Sequence, residues 1–144
     1  MFAPSREQAR RFFFDAWDKY RAGKPLEGLE HTALEILLLH PEYHPILEQS
    51  QRHIDRDYLP ESGQLNPFLH LSLHLAVAEQ LQIDQPREIR TLFAALCGRL
   101  EAHSALHVLL DCLGETIWEA SRSGLAPDEE RYLDCVRRSL DSPK

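Results

Sequence analysis

Apolar residues recur at intervals of three and four along most of the chain, the spacing that gives a helix one buried face. Alternation of β-branched residues, the signature of a strand, is nearly absent. The chain is therefore predicted to be all-α. The pattern predicts helices over residues 5–22, 26–40, 43–49, 66–83, from about 86 to a break at 103–104, 105–123 and 127–140.

The segment from Pro67 to Ile83 is apolar nearly all round, which is typical of a central helix buried by its neighbours. Asn66 is placed to cap this helix. Residues 50–65 lack periodicity and contain proline, glycine and acidic residues, so they are predicted to form a long internal loop. We predict one domain over residues 1–144, a helical bundle with four to five main helices around the buried central helix.

The length of 144 residues lets one domain bury a core without disulfides or a structural metal, so a bound metal is expected to serve function. The hydrophobic share of 43% and the charged share of 27% are typical of soluble globular proteins. The sequence shows neither a membrane-spanning stretch nor the pattern of a secretory signal. We expect a cytoplasmic protein that does not contact a membrane.

The net charge of −7 disfavours nucleic-acid binding, which depends on neutralising phosphates. The start of the chain is an exception, because six basic residues there oppose three acidic ones. The favoured interpretation is a solvated helix face, and the alternative is a surface that docks an acidic protein partner. The basic residues are Arg6, Arg10, Arg11, Lys19, Arg21 and Lys24.

Three cysteines, Cys97, Cys112 and Cys135, are odd in number and share no close spacing. Neither a disulfide framework nor a cysteine zinc site is indicated by that pattern. We expect the three thiols to be reduced and mostly buried.

Two histidines, His70 and His74, interrupt the apolar segment and lie one helical turn apart on the same face. From this spacing both rings can reach a single metal ion. Ser72 and Glu79 fall on the opposite side of the helix, so the two rings are predicted to point inward. Buried imidazoles need hydrogen-bond partners or a metal, because an unpaired buried polar group costs about 1–3 kcal/mol. The pair is thus either a metal site or a satisfied part of the core.

Two imidazoles do not complete a metal site, and the helix over 105–123 carries the next candidates. His107, Asp111 and Glu115 follow one another at intervals of four, resembling the way ferritin-like and hemerythrin-like bundles collect imidazole and carboxylate ligands. A mixed set of this kind suits iron, manganese or zinc better than copper(I). The alternative is a solvated face, since the three residues stand opposite a stripe of apolar residues.

Two further histidines, His40 and His44, lie beside prolines near the end of the second helix. A histidine at a helix C-terminus is explained by the helix dipole, which favours the cation there. That interpretation is favoured for both. Elsewhere the sequence lacks a glycine-rich phosphate loop and a nucleophile elbow, and no nucleotide or organic cofactor is indicated.

Several segments together resemble an uncharacterised bacterial family, the domain of unknown function 1841. They are Pro4–Arg6 with Phe12–Phe14, His40–His44, Asn66–His74, and Cys112–Glu115 with Trp118. The resemblance implies a compact cytoplasmic protein and supplies no activity or catalytic residue. A looser similarity connects the chain with metal-binding bundles of the DNA-damage-inducible type, which combine a lone histidine with His-x-x-x-His on another helix. In that comparison His40 or His44 would be the lone ligand, although the neighbouring prolines depart from the pattern.

Two functional hypotheses follow. In the favoured one, a helical bundle binds one or two transition-metal ions through His70 and His74, with His107, Asp111 or Glu115 completing the shell. An open coordination position would then permit hydrolytic or redox chemistry. In the other, a non-enzymatic interaction protein carries core histidines and no metal. The sequence does not decide whether the protein is an enzyme.

Overall fold

The computed structural model describes residues 6–49 and 66–141. This part of the chain forms α-helices and no strand, so the prediction of an all-α, single-domain helical protein is confirmed. The predicted loop over 50–65 lies outside the described residues, as does residue 5, where the first helix is predicted to begin. Within the described ranges the α-helices are α1 Arg6–Ala22, α2 Leu29–Leu38, α3 His44–Leu47, α4 Pro67–Ile83, α5 Ile89–Cys97, α6 Ala102–Ser123 and α7 Glu129–Asp141, with a 3-10 turn over Pro41–Tyr43.

Contacts between residues divide the chain into two compact units, Met1–Leu75 and Ala76–Lys144. In the first unit, α1 packs against α2. An ion pair of 2.8 Å between Lys19 Nζ and Glu30 Oε2 joins these two helices at their polar edge. The buried apolar side chains of this unit are Phe13, Phe14, Ala16, Trp17, Ala33, Ile36, Leu37, Leu47, Phe68, Leu71 and Leu75.

Helix α2 is shorter at both ends than the predicted span of 26–40. It begins only at Leu29, because the preceding residue, Gly28, has a φ of 55°. This value lies in the left-handed region, which is incompatible with a right-handed α-helix. At the other end His40 has φ −126° and ψ 65°, because the residue before a proline is sterically pushed out of the helical region. Pro41 then opens the 3-10 turn that leads directly into α3.

Helix α4 has the predicted bounds. The side-chain oxygen of Asn66 accepts hydrogen bonds from the backbone N–H groups of Phe68 at 3.0 Å and Leu69 at 3.2 Å, as expected of an N-cap. This cap satisfies two of the orphan donors of the first turn. It fixes the start of the helix one turn before His70.

The second unit contains α5, α6 and α7, each of which packs against the other two. Helix α5 ends at Cys97 and α6 begins at Ala102, so the break predicted at 103–104 lies instead at residues 98–101. The Glu101 side chain accepts a hydrogen bond of 3.2 Å from the His103 N–H, which caps the helix earlier than expected. The buried apolar side chains here are Val77, Ile89, Leu96, Ala105, Leu109, Leu110, Cys112, Leu113, Tyr132, Leu133 and Val136.

A disulfide between Cys112 and Cys135 joins α6 to α7 and corrects the expectation that all three thiols are reduced. The two Cα atoms lie 5.7 Å apart across the helix interface, within the range that a disulfide spans. The two cysteines are 23 residues apart in the sequence, and this spacing alone does not predict that they form a disulfide. Cys97 is a free thiol and is exposed, contrary to its predicted burial.

Among the helices of residues 6–49 and 66–141, none has the length and apolar character needed to cross a bilayer.

Candidate metal centre

Three histidines of the first unit, His40, His70 and His74, bring their rings together. One ring nitrogen of each lies within 4.8 Å of one ring nitrogen of the others. The ring centroids are 5.1 Å apart for His40 and His70, 4.6 Å for His40 and His74, and 4.8 Å for His70 and His74. The predicted pair on α4 is thus joined by a third imidazole from the end of α2.

The end of α2 determines how His40 is presented. Its Nδ1–H donates a hydrogen bond of 2.8 Å to the backbone carbonyl of Ile36, one of the last carbonyls of the helix. A carbonyl can only accept, so Nδ1 carries the proton and the neutral ring keeps a lone pair on Nε2. A backbone carbonyl that holds one ring nitrogen is a recurrent support of metal-ligating histidines, because it fixes the tautomer and the ring orientation.

The Nε2 atom of His40 points at the Nε2 atom of His70 across 3.2 Å. Two nitrogens bound to one tetrahedral metal at 2.0–2.1 Å would lie about 3.3 Å apart, so the observed separation fits a shared ion. The same separation fits a hydrogen bond in which the protonated His70 Nε2 donates to His40. Either arrangement uses the Nε2 lone pair of His40.

Burial makes this cluster energetically demanding. His40 is 1% exposed and His74 is 2% exposed, whereas His70 is half-buried. Imidazole nitrogens lose their water partners in such a place and must be compensated by hydrogen bonds or by a metal. The inward direction predicted for the pair on α4 agrees with these exposures.

Tyr43 lies against the cluster on the 3-10 turn. Its ring stacks on His40 with centroids 5.5 Å apart and planes only 8° from parallel, and it meets His70 edge to face at 6.3 Å. Burial, followed by the charge of Glu42, raises the pKa of the Tyr43 hydroxyl above its usual value. The phenol therefore stays neutral at ordinary pH.

His44, the other histidine considered for the lone position, has a different role. Its Nε2–H donates to the backbone carbonyl of Leu37 at 2.8 Å, and its ring lies 4.5 Å from that of Trp17. These contacts anchor α3 to the end of α2 and to α1. Of the two histidines in the loose comparison with metal-binding bundles, His40 is the one that reaches His70 and His74.

The remaining predicted ligands, His107, Asp111 and Glu115, lie on α6 in the second unit. His107 is half-buried, with its ring centroid 4.4 Å from that of His103 one turn earlier. Asp111 and Glu115 are exposed, as expected of a solvated helix face. The assignment of these three residues as ligands stays a prediction.

His40 is the residue that the ligand set predicted from sequence omits. The helix-dipole interpretation concerns the position of His40 at the end of α2, where Nδ1 does bind a terminal carbonyl. It gives no role to the second nitrogen. The sequence feature that could have identified His40 as a ligand is the combination of a lone histidine with His-x-x-x-His on another helix. The prolines beside His40 depart from that pattern.

The cluster consists of neutral nitrogen donors from side chains that are mostly buried. Imidazole suits zinc, iron, copper and nickel, whereas manganese and magnesium prefer oxygen ligands. Three imidazoles are also the protein ligands of one well-known type of catalytic zinc site, in which water occupies the remaining position.

Comparison with known proteins gives a family without an assigned activity. The family model described as a domain of unknown function, DUF1841, matches residues 5–138. Neither a curated protein nor a solved structure matches the chain. The match covers nearly the whole sequence, and the chain belongs to the DUF1841 family.

Proposed function

We propose that this protein binds a transition-metal ion through His40, His70 and His74. The observation that supports the proposal is the convergence of three ring nitrogens within 4.8 Å of one another. The hydrogen bond from His40 to Ile36 adds to it, because it prepares the Nε2 lone pair for a ligand before any metal arrives.

The donor set favours some metals over others. With three imidazoles, we expect zinc or iron(II) to bind more tightly than manganese(II), which the mixed set predicted from sequence also included. Metals to the right of iron in the first row should bind at least as tightly in vitro, since affinity for nitrogen ligands rises toward copper.

A further ligand determines what such a metal can do. If the protein fills every position, the metal is structural or serves as a store. If one position is left to water, the metal lowers the pKa of that water to about 7 and makes hydrolytic chemistry available.

A second candidate function is an interaction protein with metal-free core histidines. The Nε2 atoms of His40 and His70 are 3.2 Å apart, which is also a hydrogen-bond length. This distance therefore supports metal-free histidines as well as it supports a shared metal ion. In that case the basic helix near the N-terminus, α1, is the proposed docking element for a protein partner. Metal analysis separates the two functions directly.

The test uses untagged protein, analysed for metal by mass spectrometry as purified and after reconstitution with zinc(II), iron(II) or manganese(II). Affinity is then measured by competition with a chromophoric chelator for the wild type and for His40→Ala, His70→Ala and His74→Ala. His31→Ala is the matched control, because His31 is exposed on α2 of the same unit.

We expect near-stoichiometric metal in the wild type and in the control. Each of the three cluster variants should lose affinity by more than about 100-fold, since outer-sphere partners alone are worth about 10–100-fold. A wild type that stays metal-free under all three conditions refutes metal binding and supports the alternative.

A further inference from the structure

We propose that Tyr43 is a positioning residue for the metal ligand His40. Its ring holds the imidazole in the orientation that directs Nε2 toward His70 and His74. This role rests on the proposed metal binding. Tyr43 would not bind the metal itself and would act through His40.

The need for a second restraint follows from the geometry of His40. The hydrogen bond to the Ile36 carbonyl fixes one ring atom, Nδ1, at 2.8 Å. That bond holds one atom of the ring, and a tilt of the ring about this atom would swing Nε2 away from His70. The near-parallel contact with Tyr43, with ring planes 8° apart and centroids 5.5 Å apart, opposes that tilt.

The backbone couples the two rings closely. The Tyr43 N–H donates a hydrogen bond of 3.0 Å to the carbonyl of His40, which closes the 3-10 turn between them. Pro41 occupies the first position of that turn and restricts its φ. Pro41 weakens the sequence argument for His40 as a ligand. In the structure, however, it begins the turn that places the Tyr43 ring against the His40 ring.

Tyr43 also contacts a second member of the cluster. Its edge-to-face contact with His70 at 6.3 Å places one ring against two of the three imidazoles. Both contacts are made by the aromatic ring, so the ring rather than the hydroxyl is the part that should matter. Phenylalanine at position 43 should serve as well as tyrosine, whereas an aliphatic residue should not.

The test measures cobalt(II) affinity and the visible spectrum of the cobalt complex for the wild type, Tyr43→Phe, Tyr43→Leu and Tyr43→Met. Cobalt(II) is the probe because its visible bands report coordination geometry directly. Tyr20→Leu is the control, since Tyr20 is an exposed tyrosine of the same unit whose ring lies tilted by 48° against that of Trp17, with centroids 5.5 Å apart. Circular dichroism melting of the apo-proteins records any general loss of stability.

We expect Tyr43→Phe and Tyr20→Leu to keep the wild-type affinity within about twofold. Tyr43→Leu and Tyr43→Met should bind about 10–100-fold more weakly and show altered cobalt bands. Wild-type affinity and spectrum in both aliphatic variants would overturn the role of Tyr43 while leaving metal binding intact. Equal weakening of cobalt binding by Tyr20→Leu would overturn that role as well. A wild type that binds no cobalt overturns the proposed function itself and the role of Tyr43 with it.

Discussion

Reduction of the disulfide between α6 and α7 should cost the protein much of its stability. Cys112 and Cys135 close a loop with a separation of 23 residues, and reduction releases that constraint in the unfolded chain. The chain-entropy relation gives a stabilisation of about 3.4 kcal/mol for a loop of this length at 25 °C. That is a large share of the roughly 5–15 kcal/mol typical of whole domains.

The assay is urea unfolding of the oxidised and the reduced protein, followed by circular dichroism. With an unfolding slope of about 2 kcal/mol per molar urea, the midpoint of the reduced protein should fall by about 1.7 M. The exposed thiol of Cys97 can exchange with the disulfide once the chain unfolds, so all samples carry Cys97→Ala. The double variant Cys112→Ala/Cys135→Ala is the control, and reductant should leave its midpoint unchanged.

Two results would contradict this role of the disulfide. Equal midpoints for the oxidised and reduced protein would mean that the bond does not constrain the unfolded chain as calculated. Titration of thiols in the denatured, unreduced natural sequence should give one free thiol, that of Cys97, out of three cysteines. Three free thiols would mean that the bond does not form in solution.

Two further predictions concern polar contacts away from the cluster. The Tyr132 hydroxyl donates to Gln80 at 2.6 Å, so Tyr132→Phe should destabilise the fold by about 1 kcal/mol in urea unfolding. Burial raises the pKa of Tyr132 above its usual value of 10.0, so wild-type stability should fall as the pH rises above 10, and the Phe variant should lose less; equal losses would contradict this. The hydrogen bond from Lys19 lowers the pKa of Glu30 from 4.5, so its stabilisation is present above that pH and disappears as the pH falls below it. Glu30→Gln should therefore flatten the decline of melting temperature below pH 4.5, and an unchanged decline would exclude this pair as a contributor.

The elements that local rules govern were predictable from the sequence. Asn66 and Pro67 mark the start of α4, and the spacing of His70 and His74 gives their common face, because capping and helical periodicity act over a few residues. Gly23, with a φ of 70°, follows the last residue of α1, which is also the predicted last residue, because a glycine in the left-handed region commonly ends a helix.

What the sequence did not reveal depends on contacts between distant segments. Thirty residues separate His40 from His70, and their meeting depends on how the end of α2 packs, which no local spacing encodes. The pairing of Cys112 with Cys135 has the same origin, since only the packing of α6 on α7 brings them together. Exposure of Cys97 likewise depends on which face of α5 its neighbours cover.

X-ray absorption spectroscopy of the zinc-loaded protein is the sharpest check on metal binding by the three histidines, because it counts the ligands and identifies their type. We expect nitrogen neighbours at about 2.0–2.1 Å, with outer-shell scattering from at least three imidazoles. His40→Ala should remove one imidazole from that count, and His31→Ala should leave it unchanged. A zinc shell of water and carboxylate oxygens, or an imidazole count that His40→Ala does not lower, would rule out the proposed centre.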